Sequence, residues 1–137
     1  MKKISKGYYT NRHACFLLQY HLVLVTKYRK PVLLKEIDLF IKNYAKKYFS
    51  SHDCVILELE SDKDHIHILF EAPVNLELTK FINGFKTTSS RMARKRFQNI
   101  LNMYFWKPHF WSRSYFIATV SENTTEIVKT YIKNQGR

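Results

Sequence analysis

Hydrophobic positions along this chain keep two different periods, and the switches between them outline its elements. Gln19 to Thr26 reads Gln-Tyr-His-Leu-Val-Leu-Val-Thr, a β-branched run that predicts a buried strand, followed at once by Lys27-Tyr28-Arg29-Lys30-Pro31. From Leu34 to Phe49 the apolar residues Ile37, Phe40, Ile41, Tyr44 and Tyr48 recur at helical spacing. Lys35, Lys42, Lys46 and Lys47 fall largely elsewhere, so this segment predicts an amphipathic helix lying on a sheet. Val55 to Glu60 alternates as a strand, and after the polar turn Ser61-Asp62-Lys63 the stretch Asp64-His65-Ile66-His67-Ile68-Leu69-Phe70 alternates as another. Together they predict an antiparallel hairpin. A second helix is expected from an N-cap at Asn75 through Leu78, Phe81, Ile82 and Phe85 to Met92. Phe97 to Ser114 is aromatic and irregular, and Tyr115 to Val120 is the last strand. Asn123, with Glu126 in the capping-box position, starts a final helix over about residues 124–135. Residues 1–15 predict only a short arm or an irregular pass.

That order of strand, helix, strand, strand, helix, strand, helix is the α+β pattern of a ferredoxin-like (RRM-like) split βαβ sandwich. It implies one antiparallel sheet with an added C-terminal helix. A chain of 137 residues suits one domain, 1–137, with a single substantial core. The first two helices would cover one sheet face, leaving the terminal helix to cover the other.

Strand alternation turns His65, His67 and Leu69 one way and Ile66, Ile68 and Phe70 the other. Two imidazoles side by side can share a cation, although two ligands do not complete a site, and a pair of surface or interface histidines is the plainer alternative. An even-numbered turn would set Glu60 opposite His65 and Glu58 opposite His67, where a carboxylate could orient an imidazole or join the metal. An odd turn would point both away. In the last helix Tyr131 and Gln135 are four apart and share a face, but Ile127 and Val128 lie one turn below, so a core tyrosine explains the spacing equally well.

Charge narrows the partner. Lys plus Arg number 23 against 11 Asp plus Glu, a net charge of +12, which calls for a polyanion, nucleic acid ahead of an anionic membrane surface. The cations gather at Lys27, Arg29 and Lys30 around Tyr28, and along the second helix at Lys80, Lys86, Arg91, Arg94, Lys95 and Arg96. Such runs can be solvated faces or phosphate contacts. Nine Tyr, 10 Phe and 2 Trp exceed what a core this size needs, leaving Tyr104 or Trp106 free to stack on unpaired bases. The start resembles no signal peptide, no segment is long enough to span a bilayer, and Cys15 and Cys54 are isolated thiols, which together favour the cytoplasm.

The pieces Tyr20-His21 with Thr26-Lys27-Tyr28-Arg29, Asp64-His65-Ile66-His67, Phe110-Trp111 through Ser114-Tyr115-Phe116, Thr119-Val120-Ser121-Glu122-Asn123 and Tyr131-Ile132-Lys133-Asn134-Gln135 occur in one order and spacing. In this the chain resembles, along almost its whole length, the single-tyrosine HUH transposases of bacterial and archaeal insertion sequences, the TnpA type of the IS200-like family. The resemblance implies the same ferredoxin-like fold, His65, His67 and Gln135 as ligands of a divalent metal (Mg²⁺ or Mn²⁺), and Tyr131 as nucleophile. It also implies single-stranded DNA with hairpin-forming ends as substrate, cleavage and rejoining through a 5′-phosphotyrosine, and a homodimer in which the tyrosine helix can act in trans. Asp64, Glu58 and Glu60 would support the ligands, while Lys27, Tyr28, Arg29, Lys30, Lys86, Arg91, Arg94, Lys95 and Arg96 would bind DNA. Two alternatives stand beside this reading: a related HUH nickase or repeat-processing protein, and a non-catalytic module binding single-stranded nucleic acid.

Overall fold

The computed structural model describes residues 2–3, 9–10, 15–16, 18–120 and 124–134. Three two-residue strands, β1 (Lys2–Lys3), β2 (Tyr9–Thr10) and β3 (Cys15–Phe16), form a small antiparallel sheet where only an arm was expected. The main sheet is built from β4 (Leu18–Thr26), β5 (Val55–Asp62), β6 (His65–Ala72) and β7 (Trp111–Thr119). Its order is β5-β6-β4-β7, with every neighbour antiparallel. This is the ferredoxin-like arrangement: β6 is inserted between β4 and β5, and β4 between β6 and β7.

Helices α1 (Lys35–Ser51) and α2 (Leu78–Arg96) connect the strands across one face. From α1 come Ile37, Ile41, Ala45 and Phe49, and from α2 Phe81, Ile82, Phe85 and Ala93; all are buried against Leu22, Leu24, Ile66, Ile68 and Phe70. Phe49 stands at the centre, edge-on to Phe70 at 5.0 Å and to Phe81 at 4.8 Å. Full burial of such a ring is worth about 2–3 kcal/mol. Gly84 permits the close approach of the two helices, since a β-carbon there would lie 2.6 Å from the Tyr48 hydroxyl. That hydroxyl donates to the Phe81 carbonyl at 2.7 Å. The opposite face is crossed by α4 (Thr124–Asn134), which packs Val128, Tyr131 and Ile132 on Val23, Val25 and Phe116.

Several boundaries differ from those expected, for identifiable reasons. The second helix starts at Leu78 after Glu77, so Asn75 is not its cap, and it continues through the cationic turn to Arg96, because Ala93 anchors that last turn in the core. The aromatic connection contains a short helix, α3 (Gln98–Leu101), whose Leu101 is fully buried. β7 begins four residues early, at Trp111 rather than Tyr115, because Trp111 is itself buried and its indole donates to the buried Ser89 hydroxyl at 2.9 Å. The hairpin turn is Lys63-Asp64, two residues long, with Ser61 and Asp62 drawn into β5. The expected cap at Asn123 lies outside the described residues. No described helix is long and apolar enough to cross a membrane.

Candidate active site

The open face of the sheet collects the polar residues of four strands. Val23 pairs with His67 and Val25 with His65, so both histidines share the face on which α4 sits. The two-residue turn is even, which keeps Glu58, Glu60 and Asp62 on that face too. The register, however, is displaced by two from the expected one: Glu60 lies opposite His67, Asp62 opposite His65 and Glu58 opposite Leu69. A bulge between Ile56 and Glu58 leaves Leu57 unpaired with β6. Glu58 and Glu60 are exposed.

The two imidazoles are held differently. His65 has its Nδ1 2.8 Å from Asp64 Oδ1, and Asp64 Oδ2 accepts the Nε–H of Arg29 at 2.8 Å. Burial would raise the Asp64 carboxyl, but the hydrogen bond from His65 and the bond and charge of Arg29 outweigh it and lower its pKa. Asp64 is thus an ionised acceptor to which the Nδ1–H of His65 donates, and in a neutral ring with that tautomer Nε2 is the acceptor nitrogen. In contrast, His67 has its Nε2 only 2.8 Å from Nδ1 of His21, with the rings stacked at 5.0 Å. Burial and then the neighbouring His21 lower the His67 pKa, against the pull of Glu60 and Glu58 in the other direction. His21 is the residue that sequence reasoning left without a role. Alternation along β4 places it on the right face, but only the pairing of β4 with β6 brings it to His67.

Tyr131 lies tilted against Phe116, ring centroids 5.1 Å apart. Burial raises the pKa of its phenol, with the nearby Ser114 hydroxyl acting the other way. The phenol oxygen is nevertheless buried without a hydrogen bond of acceptable geometry. Gln135 lies outside the described residues. Imidazole nitrogens with adjacent carboxylates suit a divalent cation in donor chemistry, and the Asp64 contact to His65 is the kind that orients a ligand. Among the described residues, no three His, Cys, Asp or Glu side chains are gathered into a ready cluster.

The cations expected to meet DNA divide into two groups. Lys86 is half-buried, donates to the Arg113 carbonyl at 2.8 Å and lies over the Tyr115 ring, and burial lowers its pKa. Arg94 donates to Asn102 at 2.7 Å, Arg96 stacks over Phe40 and Phe97, and Arg29 turns onto Asp64. Arg91 and Lys95 remain exposed, and Lys27 and Lys30 are partly so. Tyr28 is 66% exposed, with Lys27 over its ring and His109 against its edge. Trp106 is 97% exposed, whereas Tyr104 packs against the core. Cys54 is buried among apolar residues, and burial together with the Asp53 charge pushes its thiol up to about 12, which keeps it protonated.

The ferredoxin-like sheet with its covering helices is a fold that the comparisons also reach. The model of the family described as "Transposase IS200 like" matches residues 14–135, and the chain belongs to that family of transposases. The transposase for insertion sequence element IS200 of Salmonella typhimurium is 32% identical over 123 residues, covering 90% of this chain and 80% of that protein. ISDra2 transposase TnpA of Deinococcus radiodurans is 30% identical over 135 residues, 98% of this chain and 91% of its own length. A crystal structure described as a Deinococcus radiodurans R1 transposase superposes with a TM-score of 0.84 at 29% identity, covering 93% of this chain and 97% of that one. The fold is shared further, at 9% identity and a TM-score of 0.59, with a REP-associated tyrosine transposase bound to a REP hairpin; that match covers 100% of this chain and 76% of the other.

Proposed function

We propose that the chain cleaves and rejoins single-stranded DNA at insertion-sequence ends, with Tyr131 as nucleophile and a homodimer as the working unit. His65, His67 and Gln135 would hold Mg²⁺ or Mn²⁺. The observation carrying this reading is that α4 lays Tyr131 on the same sheet face that presents both histidines. Attack by the phenol oxygen on phosphorus would form a 5′-phosphotyrosine and release a 3′-hydroxyl. Because the new bond is again a phosphodiester, the 3′-hydroxyl of another strand can reverse the step without a nucleotide cofactor. A bound cation would polarise the scissile phosphate and favour departure of the 3′ oxygen. His65 contributes a lone pair fixed in direction by Asp64, and the exposed Arg91 and Lys95 suit a DNA backbone. Trp106 offers an unobstructed ring to an unpaired base. A hairpin at the element's end is the proposed ligand, as a REP hairpin is that of the more distant neighbour.

The Tyr131 hydroxyl is beside Ser114 on β7, and β4 separates β7 from β6. Two strand spacings are about 10 Å, a gap between backbones that the phenol, the scissile phosphate and the cation would span together, with α4 supplied by the same chain or by the partner subunit. Burial raises the phenol's pKa there, which disfavours the phenolate. The test is incubation with labelled single-stranded DNA from the element's ends plus Mg²⁺ or Mn²⁺, followed by a denaturing gel. A shifted, denaturant-resistant band is expected from the native chain and none from Tyr131→Phe, which should still bind the DNA. An adduct formed by Tyr131→Phe would remove Tyr131 as nucleophile; no adduct from the native chain would leave a binding module.

A further inference from the structure

The loop after β4 has an unusual backbone. Tyr28 and Arg29 both have positive φ, 55° and 54°, a conformation that L side chains rarely adopt and that persists where neighbours enforce it. The β5–β6 turn is that neighbour. The Thr26 backbone N–H donates to the Asp64 carbonyl at 2.9 Å, and the Leu33 N–H donates to the Lys63 carbonyl at 2.9 Å. The fully buried Thr26 hydroxyl lies 2.7 Å from the Lys30 carbonyl and 3.2 Å from that of Asp64. Stapled in this way, the loop delivers the Nε–H of Arg29 to Asp64 Oδ2 at 2.8 Å, while Asp64 Oδ1 faces His65 Nδ1 at 2.8 Å. The side chains of Arg29 and Asp64 are only 25% and 15% exposed, so the pair is largely shielded from water.

We propose that Arg29 is a positioning residue: it anchors the Asp64 carboxylate, which fixes the ring of His65 with Nε2 presented to the open sheet face. This rests on the reading of His65 as a cation ligand. It gives one cation of the Lys27–Lys30 cluster a task other than holding phosphate. Arginine suits it because its Nε–H is directed in the guanidinium plane, whereas a lysine ammonium is a freely rotating point charge. Two links of one chain also act as a unit, so their losses do not add.

The test compares the native full-length chain with Arg29→Gln, Asp64→Asn and the double variant, each checked for folding by circular dichroism. Mn²⁺ affinity is read by electron paramagnetic resonance, the His65 tautomer by ¹⁵N NMR, and single-stranded DNA affinity in EDTA over a range of salt. Asp64→Asn is expected to weaken Mn²⁺ binding about tenfold and Arg29→Gln about fivefold, with the double variant no worse than Asp64→Asn. In both single variants the His65 Nδ1–H tautomer loses its dominance. DNA affinity and its salt dependence stay unchanged for Arg29→Gln. Arg29→Lys, which preserves charge and should fold even if the glutamine variant does not, falls between native and glutamine in Mn²⁺ affinity. Multiplying losses in the double variant would overturn the proposal. So would native Mn²⁺ binding by both Arg29 variants, with a salt slope lowered by about 1, the mark of a phosphate contact. If the native chain itself takes no Mn²⁺, the cation reading fails and this inference with it.

Discussion

The two faces of the main sheet use the same four strands but are closed by very different means. Under α1 and α2 the strands present Leu22, Leu24, Ile66, Ile68 and Phe70 to an aromatic-rich core that includes Phe49, Phe81, Phe85 and Phe110. Under α4 they present His21, His65, His67 and the acidic positions of β5, with a small cluster of Val23, Val25 and Val128 as the buried apolar part. One face is made to hold the fold. The other gives up apolar burial to keep titratable groups and a tyrosine within one layer, and its helix is correspondingly lightly attached: Ile127 is 48% exposed, and the Lys129–Glu126 ion pair is too exposed to add much.

Breaking the comparison on the sealed side should have the largest effect. Phe49→Ala removes a fully buried ring at the meeting point of Phe70 and Phe81 and is expected to cost about 3–5 kcal/mol, read as a lower urea midpoint for the whole molecule. On the open side, Val128→Ala removes two buried methyl groups, worth about 1.5 kcal/mol at the usual value per carbon. Its loss should appear as faster amide exchange in α4 while β4 and β6 keep their protection; equal loss in both would mean the faces are one cooperative unit.

The smallest effect is electrostatic. In metal-free protein, His67 should titrate below the ordinary histidine value of about 6.5. Its folded pKa is depressed, so its contribution to stability is fully present above the unfolded value and is lost as pH falls from there through the folded value. Glu60→Gln should move that titration lower, since it removes a charge favouring the imidazolium, and His21→Ala should move it higher. NMR titration of the His67 ring checks both signs, and a titration unmoved by either substitution would show that the open face does not couple these groups.

Much of this was legible from local pattern. The period of 2 in Asp64–Phe70 was enough to put His65 and His67 together, and the period of 3.6 was enough to give α1 and α2 their buried faces. The hairpin register was harder, because it depends on whether Ser61 and Asp62 belong to the turn or to the strand. Pairing with Ile66 and His65 decided that, and it moved Glu60 from His65 to His67. The early start of β7 and the far end of α2 were hidden for a similar reason: Trp111 and Ala93 join elements by burial, not by spacing.

The amino-acid order alone determined which residues share a face, how many layers the chain can fill and that its surface suits a polyanion, because these follow from backbone periodicity and charge. Tertiary structure decided who touches whom across strands. His21 meets His67 and Arg29 meets Asp64 because β4 pairs with β6, and Tyr131 rests by Ser114 because α4 folds back over β7, bringing together groups 46, 35 and 17 residues apart, and no local propensity encodes such distances.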